Sequence, residues 1–286
     1  MIFLWASIIC STSIYLTFKL RPNFKANLTG TIIINYFIAT VLGYLIQPVP
    51  PSPEKILLAS WFPLAALIGF LFVIIFLLIG WSSEKTGIAL TTVATRMSMI
   101  IPILFSMLLF NEIISLSKIV KVVLVFIAVT LAIYKKPDKN TRLIYMLLPF
   151  ILFIGSGSVD TLVKTAQHLY IPPNEIGLFS SSLFGISFIV SFLLLFKRKT
   201  ETKLFSWNTA IVGLLLGLSN FGSLYFLINA LNKSGIESSL VFGINNLTIV
   251  CLSLLFGAFL FKEKLSAINW TGIVFSIICI IILIEF

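Results

Sequence analysis

Residues 84–112 read EKTGIALTTVATRMSMIIPILFSMLLFNE, and residues 232–263 read NKSGIESSLVFGINNLTIVCLSLLFGAFLFKE. Each stretch opens on a short polar turn, Lys85-Thr86-Gly87-Ile88 or Lys233-Ser234-Gly235-Ile236. Each then runs through a long, mostly apolar passage and leaves through Phe110-Asn111-Glu112 or Phe261-Lys262-Glu263. About 20 residues rising ~1.5 Å apiece make a helix of ~30 Å, the thickness of a bilayer's hydrocarbon core. Barrel strands would instead be ~10 residues of alternating polarity. One passage written twice predicts two membrane-spanning helices in equivalent positions of an internal repeat.

The rest of the chain has the same character. Of 286 residues, 59% are hydrophobic and 10% charged, with a mean hydropathy of +1.10; soluble domains run about 45–50% apolar and about 25% charged. An excess of that size has to face lipid. Apolar segments fall at 1–18, 28–46, 57–80, 87–110, 117–134, 143–166, 174–196, 208–231, 236–261 and 267–285. They predict an all-α integral membrane protein of ten transmembrane helices, with almost no chain left for an extramembrane domain. The first segment, MIFLWASIICSTSIYLTF, has no basic stretch before it and reads as a span rather than a cleaved signal peptide. Trp5, Trp61, Trp81, Trp207 and Trp270 all lie near segment ends, which predicts indole rings at the headgroup level.

The net charge of +10 is topological rather than a nucleic-acid footprint, because most basic residues sit in short loops between apolar runs. Loops after spans 1, 3, 5, 7 and 9 hold fourteen Lys and Arg, including KLRPNFK (19–25), KKPDKNTR (135–142) and KRKTETK (197–203). The opposite side is assigned five, of which Lys118, Lys121 and Lys164 fall at the ends of spans 5 and 6, and Arg96 lies deeper inside a span. The positive-inside rule then places both termini outside a plasma or inner membrane. Cys10, Cys251 and Cys279 lie within apolar runs without a CxxC pair, so neither a disulfide framework nor a zinc site is expected. The single histidine, His168, beside Pro172 and Pro173, reads as a loop residue. No metal, cofactor or nucleotide motif is apparent, and no acidic cluster of the kind a membrane transferase needs for Mg²⁺.

The repeat extends beyond the opening stretches. Leu67-Ile68-Gly69 matches Leu215-Leu216-Gly217 at the same offset as the two turns, and Ser11-Thr12-Ser13 with Lys19 parallels Ser156-Gly157-Ser158 with Lys164. Two five-span halves emerge, 1–136 and 140–286. Five crossings are an odd number, so the second half enters the membrane upside down. Secondary transporters of such inverted repeats keep their site near the midplane. On the ten spans, the 5+5 repeat, the Lys-Thr-Gly-Ile and Lys-Ser-Gly-Ile turns and the Phe-Asn-Glu and Phe-Lys-Glu exits, the whole chain resembles the ten-helix EamA-like members of the drug/metabolite transporter superfamily. The resemblance implies a basket in which spans 1–4 and 6–9 line a central cavity and spans 5 and 10 are peripheral. Many such members have cytoplasmic termini, opposite to the charge count here.

Arg96 is the strongest single signal for chemistry. It lies about nine residues into span 4, ~14 Å deep, where an undischargeable guanidinium costs ~2.5–3.5 kcal/mol unless something compensates it. Thr92, Arg96, Met99 and Ile103 form one helical stripe. Arg96 either anchors an anionic ligand or is a structural lock paired with a carboxylate. Asp160 is an acid inside span 6, with Lys164 at i+4; the two neutralise each other, or Asp160 is a proton-coupling site. Gly213, Gly217, Asn220 and Ser223 share a stripe of span 8, and the GxxxG predicts close helix packing. Ser239, Asn246 and Ser253 recur every seven residues in span 9, beside Asn245. With Asn35 and Tyr36 in span 2 and Ser11 and Ser13 in span 1, these side chains are either interhelical glue or ligand contacts. Pro63, Pro102 and Pro149 lie within apolar spans and are expected to kink them.

These features favour a secondary transporter over an enzyme. Arg96 would hold a carboxylate or phosphate, with Thr92, Ser13, Asn35, Tyr36, Asn220, Asn245 and Asn246 binding the remainder of a small polar metabolite such as an amino acid. Protons or a counter-solute would drive it, because no ATP motif is present. Efflux of cationic amphiphiles is the alternative, and a channel or membrane enzyme the remote ones. The expected partners are the substrate, protons and membrane lipid, and the internal repeat suggests a monomer, with a dimer as the alternative.

Overall fold

In the computed structural model, residues 1–47, 53–85, 94, 95, 97–109, 116–133, 147–195, 204, 206–261 and 266–285 are described. Among them there is no strand. In chain order the helices are α1 (Ile2–Leu20), continued by a 3-10 turn (Arg21–Phe24), α2 (Leu28–Leu45), α3 (Pro53–Leu57), α4 (Phe62–Lys85) and α5 (Ile100–Leu109). They continue with α6 (Leu116–Ile133), α7 (Leu147–Leu169), α8 (Ile176–Leu195), α9 (Trp207–Lys233), α10 (Ser238–Phe261) and α11 (Ala267–Glu285). Four stretches, Leu28–Leu45, Phe62–Ile79, Ile176–Leu194 and Trp207–Lys233, are long and apolar enough to cross a membrane. The short α3 was not expected, because the 47–60 region carries four prolines and reads as a connection.

The chain forms two compact units, one of Met1–Val73 with Leu162–Ser234, the other of Ile74–Thr161 with Gly235–Phe286. Each draws on both halves of the sequence. In the first unit α9 lies between α1 and α2, and α8 packs on α2. In the second, α6 packs along α11, and α10 packs against α5, α6 and α11.

Helix α9, long and apolar enough to cross a membrane, shows how such a sequence arranges its two faces. Ile211, Leu214, Leu215 and Leu218 point outward and exposed, while Val212, Gly213, Leu216, Gly217 and Phe221 are buried. Apolar side chains cover the outside while glycines interleaved with larger residues let the buried face approach its neighbour, which suits a helix solvated by hydrocarbon, where close packing rather than the hydrophobic effect joins helices. A Cβ on Gly213 would sit 2.6 Å from Ile34 Cβ; one on Gly217 would sit 2.7 Å from Ile38 Cβ and 2.8 Å from the Asn35 carbonyl oxygen. The expected GxxxG contact is therefore made, against α2. The two helices also start together: Asn27 caps α2 by accepting from the Gly30 N–H, Ser206 caps α9 by accepting from the Thr209 N–H, and the Asn27 N–H donates to Thr209 Oγ1 at 3.1 Å.

The Lys-Ser-Gly-Ile turn has a local cause. The Ser234 N–H donates to the Ala230 carbonyl, and Gly235 follows at φ +70, the left-handed position that ends many helices. Its repeat counterpart, Gly87, lies outside the described residues.

Four expectations are corrected. Trp61 is not at a lipid surface: it is fully buried, packs edge-on against Phe179 and donates its indole N–H to Glu175 Oε2 at 2.6 Å, tying the start of α4 to the start of α8. Proximity to a segment end is shared by interfacial and buried indoles, and here a half-buried carboxylate partner and the Phe179 ring decide. Trp5, Trp207 and Trp270 are exposed. His168 is in the last turn of α7 rather than a loop. Pro63 and Pro149 are the second and third residues of α4 and α7, where a missing N–H is tolerated; Pro102 is likewise the third residue of α5, and the turn associated with it lies before that helix, at Ser98–Met99.

Candidate functional site

The residues expected to bind substrate divide between the units. Ser13, Asn35, Tyr36 and Asn220 belong to the first; Asn245, Asn246 and Asp160 to the second; Thr92 and Arg96 lie outside the described residues. Ser13 donates to the Ile9 carbonyl of its own helix at 2.9 Å, and Asn246 likewise to Phe242 at 3.1 Å. Asn245 is buried beside Asn246. Tyr36 is fully buried and stacks on Phe184, ring centroids 6.1 Å apart.

The pair that the structure does bring together is Asn35 and Asn220. Asn220 Nδ2 donates to Asn35 Oδ1 at 3.1 Å, across the α2–α9 contact that Gly217 opens one turn away. Asn35 is fully buried, and its own Nδ2 meets no acceptor; one turn earlier the Thr31 hydroxyl is buried in the same condition. A buried amide donor without an acceptor costs ~1–3 kcal/mol. An oxygen atom from a bound molecule would recover it.

The second feature is a break in a helix. Ala94 accepts the Ser98 N–H, but Ser98 and Met99 form a turn before α5 begins at Ile100. Pro102 has no N–H to offer the Ser98 carbonyl, which takes the Ile101 N–H at 3.0 Å instead. Met99 and Ile103, from the stripe shared with position 96, are both buried. Against this turn lies Gly157 of α7, where a Cβ would come 2.8 Å from the Ser98 carbonyl oxygen. The turn thus packs against a residue with no side chain.

A third feature was missed in the sequence. Lys164, only 3% exposed, donates from Nζ to Gln167 Oε1 at 2.9 Å, and Gln167 Nε2 donates to Asn232 Oδ1 at 2.7 Å. Attention to the Asp160–Lys164 spacing passed over Gln167 three residues on, a legible i, i+3 neighbour. Asn232, 65 positions away, carries no local signal.

Finally, a cleft of about 260 Å³ opens on the other side of α2, lined by Thr40, Tyr44, Ile56, Phe62, Ser182 and Ile189 among others. Its walls are nearly all apolar. No cluster of His, Cys, Asp or Glu able to hold a metal occurs among the described residues.

No family model matches the chain. A solved crystal structure of another protein has a TM-score of 0.74 to it at 11% identity, covering 98% of this chain and 94% of that one, and shares the fold. An "Uncharacterized protein" of Haemophilus influenzae is 30% identical over 280 residues, which is 95% of this chain and 93% of that protein. The chain belongs to the same family as that Haemophilus influenzae protein.

Proposed function

We propose that this chain is a secondary transporter of the drug/metabolite superfamily, with ten transmembrane helices in two inverted five-helix repeats, 1–136 and 140–286. It moves a small polar metabolite, an amino acid or related carboxylate, across the inner membrane by alternating access. The observation that carries this reading is the interrupted helix at Ser98–Met99, two residues after Arg96 in sequence. Backbone is left unwound at membrane depth only where protein or a water-lined cavity satisfies it, and transporters use such breaks beside their substrates. Arg96 supplies the charge for a carboxylate. The Asn35 amide, hydrogen-bonded to Asn220 through one of its two polar atoms, adds a neutral hydrogen-bonding group. Asp160 is the proton-coupling residue, and the charge count sets the termini outside.

The test is uptake of radiolabelled amino acids and dicarboxylates by proteoliposomes, with and without an imposed pH gradient. Arg96→Ala is expected to abolish uptake while the protein still elutes as a folded monomer. Asp160→Asn is expected to leave binding intact and remove the dependence on the gradient. Full uptake by Arg96→Ala sinks the anchor role, and gradient-driven uptake by Asp160→Asn removes the proton role. Transport of quaternary ammonium compounds alone would favour drug efflux.

A further inference from the structure

The Lys164–Gln167–Asn232 chain has a forced polarity. An ammonium is a donor only, so the Gln167 atom facing it is the carbonyl oxygen. Gln167 then presents its NH₂ to Asn232, whose facing atom has to be Oδ1. Amide orientation is ordinarily open to a flip, but flipping either residue here would set donor against donor. The consequence falls on Asn232 Nδ2, which is buried and meets no acceptor. A hydrogen-bond chain that begins on a buried ammonium thus passes through two amides to one buried donor.

We infer that Asn232 Nδ2 and Lys164 form a binding site for an oxyanion, a carboxylate or phosphate group, where α7 meets the C-terminal end of α9. Three observations converge on that ligand class. The terminal atom requires an acceptor; the donor chain behind it begins on an ammonium; and Lys164 and Gln167, at 3% and 8% exposure, are held by burial rather than by solvent. The exposed Lys233, its Nζ lying 5.3 Å from the centre of the Phe3 ring, adds positive potential next to Asn232. The site is distinct from the Asn35–Asn220 pair, since twelve residues of α9, ~18 Å of helix, separate Asn220 from Asn232. It does not depend on the transport reading, because it is a statement about binding alone.

The oxyanion can come from solution or from a lipid headgroup at the end of a membrane-crossing helix, and two arms separate these. The purified full-length protein, in an uncharged maltoside detergent, is titrated with sodium phosphate and sodium acetate at constant ionic strength. In parallel it is titrated with phosphatidylglycerol against phosphatidylcholine, and apparent Tm is read throughout. Ligands that bind only the folded state raise it in a saturable way. A shift with the soluble anions assigns a free ligand; a shift with phosphatidylglycerol alone assigns a lipid. In either case Asn232→Asp, which keeps the shape and turns the donor into a carboxylate, is expected to remove the response. Asn232→Leu should raise the half-saturating concentration about tenfold or more, as loss of a charge-assisted hydrogen bond would. Lys55→Gln, on the exposed α3, should respond like the parent. Lys164→Met should lose the response, and if it does not fold the Asn232 variants still decide. No saturable shift in the parent with any of the four additives, or equal shifts in parent and Asn232→Asp, overturns the site and leaves the transport proposal untouched.

Discussion

Mid-helix and terminal polar groups of α9 are held by different physics. At its middle, Asn220 meets Asn35 as one neutral amide meeting another, positioned by the glycine-lined approach of two backbones. At its end, Asn232 terminates a chain that begins on a buried ammonium. The neutral pair depends on close packing for its geometry and is indifferent to which amide donates, because exchanging O and N on both residues leaves one hydrogen bond. The charged chain has a single allowed direction. Packing therefore sets where the first pair sits, and charge sets which way the second one points. The two should respond to different mutations.

The largest effect is expected from Gly217→Ala. One methyl group there meets Ile38 Cβ and the Asn35 carbonyl oxygen, neither of which is a flexible tip, so α2 and α9 have to separate. Overpacking of this kind costs ~1–3 kcal/mol, and the upper part of that range applies where backbone is the obstacle. Thermal unfolding in detergent should show it, with the Asn35–Asn220 hydrogen bond lost as the helices part. A Tm equal to the parent's would mean that the α2–α9 approach is not tight.

A second, smaller effect separates structure from function within the pair. Asn220→Leu strands the Asn35 carbonyl oxygen and should cost about 1–2 kcal/mol. Interhelical hydrogen bonds in membranes couple by ~0.6 kcal/mol on average and up to ~1.7. Asn35→Leu combined with Asn220→Leu should therefore recover most of that loss, because no polar atom remains unmatched. If the pair is only glue, the double variant also regains full uptake in proteoliposomes. If Asn35 offers its free donor to a ligand, the double variant is stable and inactive. Additive stability losses in the cycle would show that the two amides do not interact at all.

What could be read in the sequence follows the same division. Helices α2, α9, α10 and α11 fall within three residues of the segments expected from apolar runs, because a long apolar run bounded by polar turn residues is a local signal. The GxxxG contact and the Pro102 interruption were legible for the same reason: Gly213 and Gly217 share a helical face, and a missing N–H acts on the carbonyl four residues back. Both are local rules. The partners were not legible. Nothing near Asn220 names Asn35, 185 positions away, and nothing near Trp61 names Glu175, which turned an expected interfacial indole into a buried one. The Asp160–Lys164 spacing suggests one partner for Lys164, but a buried ammonium has three donors, and one of them is committed to Gln167, which the spacing does not name. Arg96 and Thr92 lie outside the described residues, so the stripe they share is seen only at Met99 and Ile103.

The smallest effect concerns the other glycine of this region. Gly235 sits at φ +70 with nothing within 4 Å of where a Cβ would be. Gly235→Ala is the same chemical change as Gly217→Ala, but only the backbone penalty operates. A left-handed alanine costs about 1 kcal/mol, less than the clash at Gly217. Gly235→Asn, which tolerates that conformation, should fall between alanine and the parent in Tm. The interest lies in what else the alanine moves. Gly235 ends α9 three residues after Asn232, so extending the helix by a turn redirects the end of the Lys164–Gln167–Asn232 chain without touching it. A Gly235→Ala protein that is slightly less stable, yet binds phosphate or phosphatidylglycerol normally, would show that burial around Lys164 holds the chain. One that loses binding with little loss of stability would show that the turn itself aims the terminal amide.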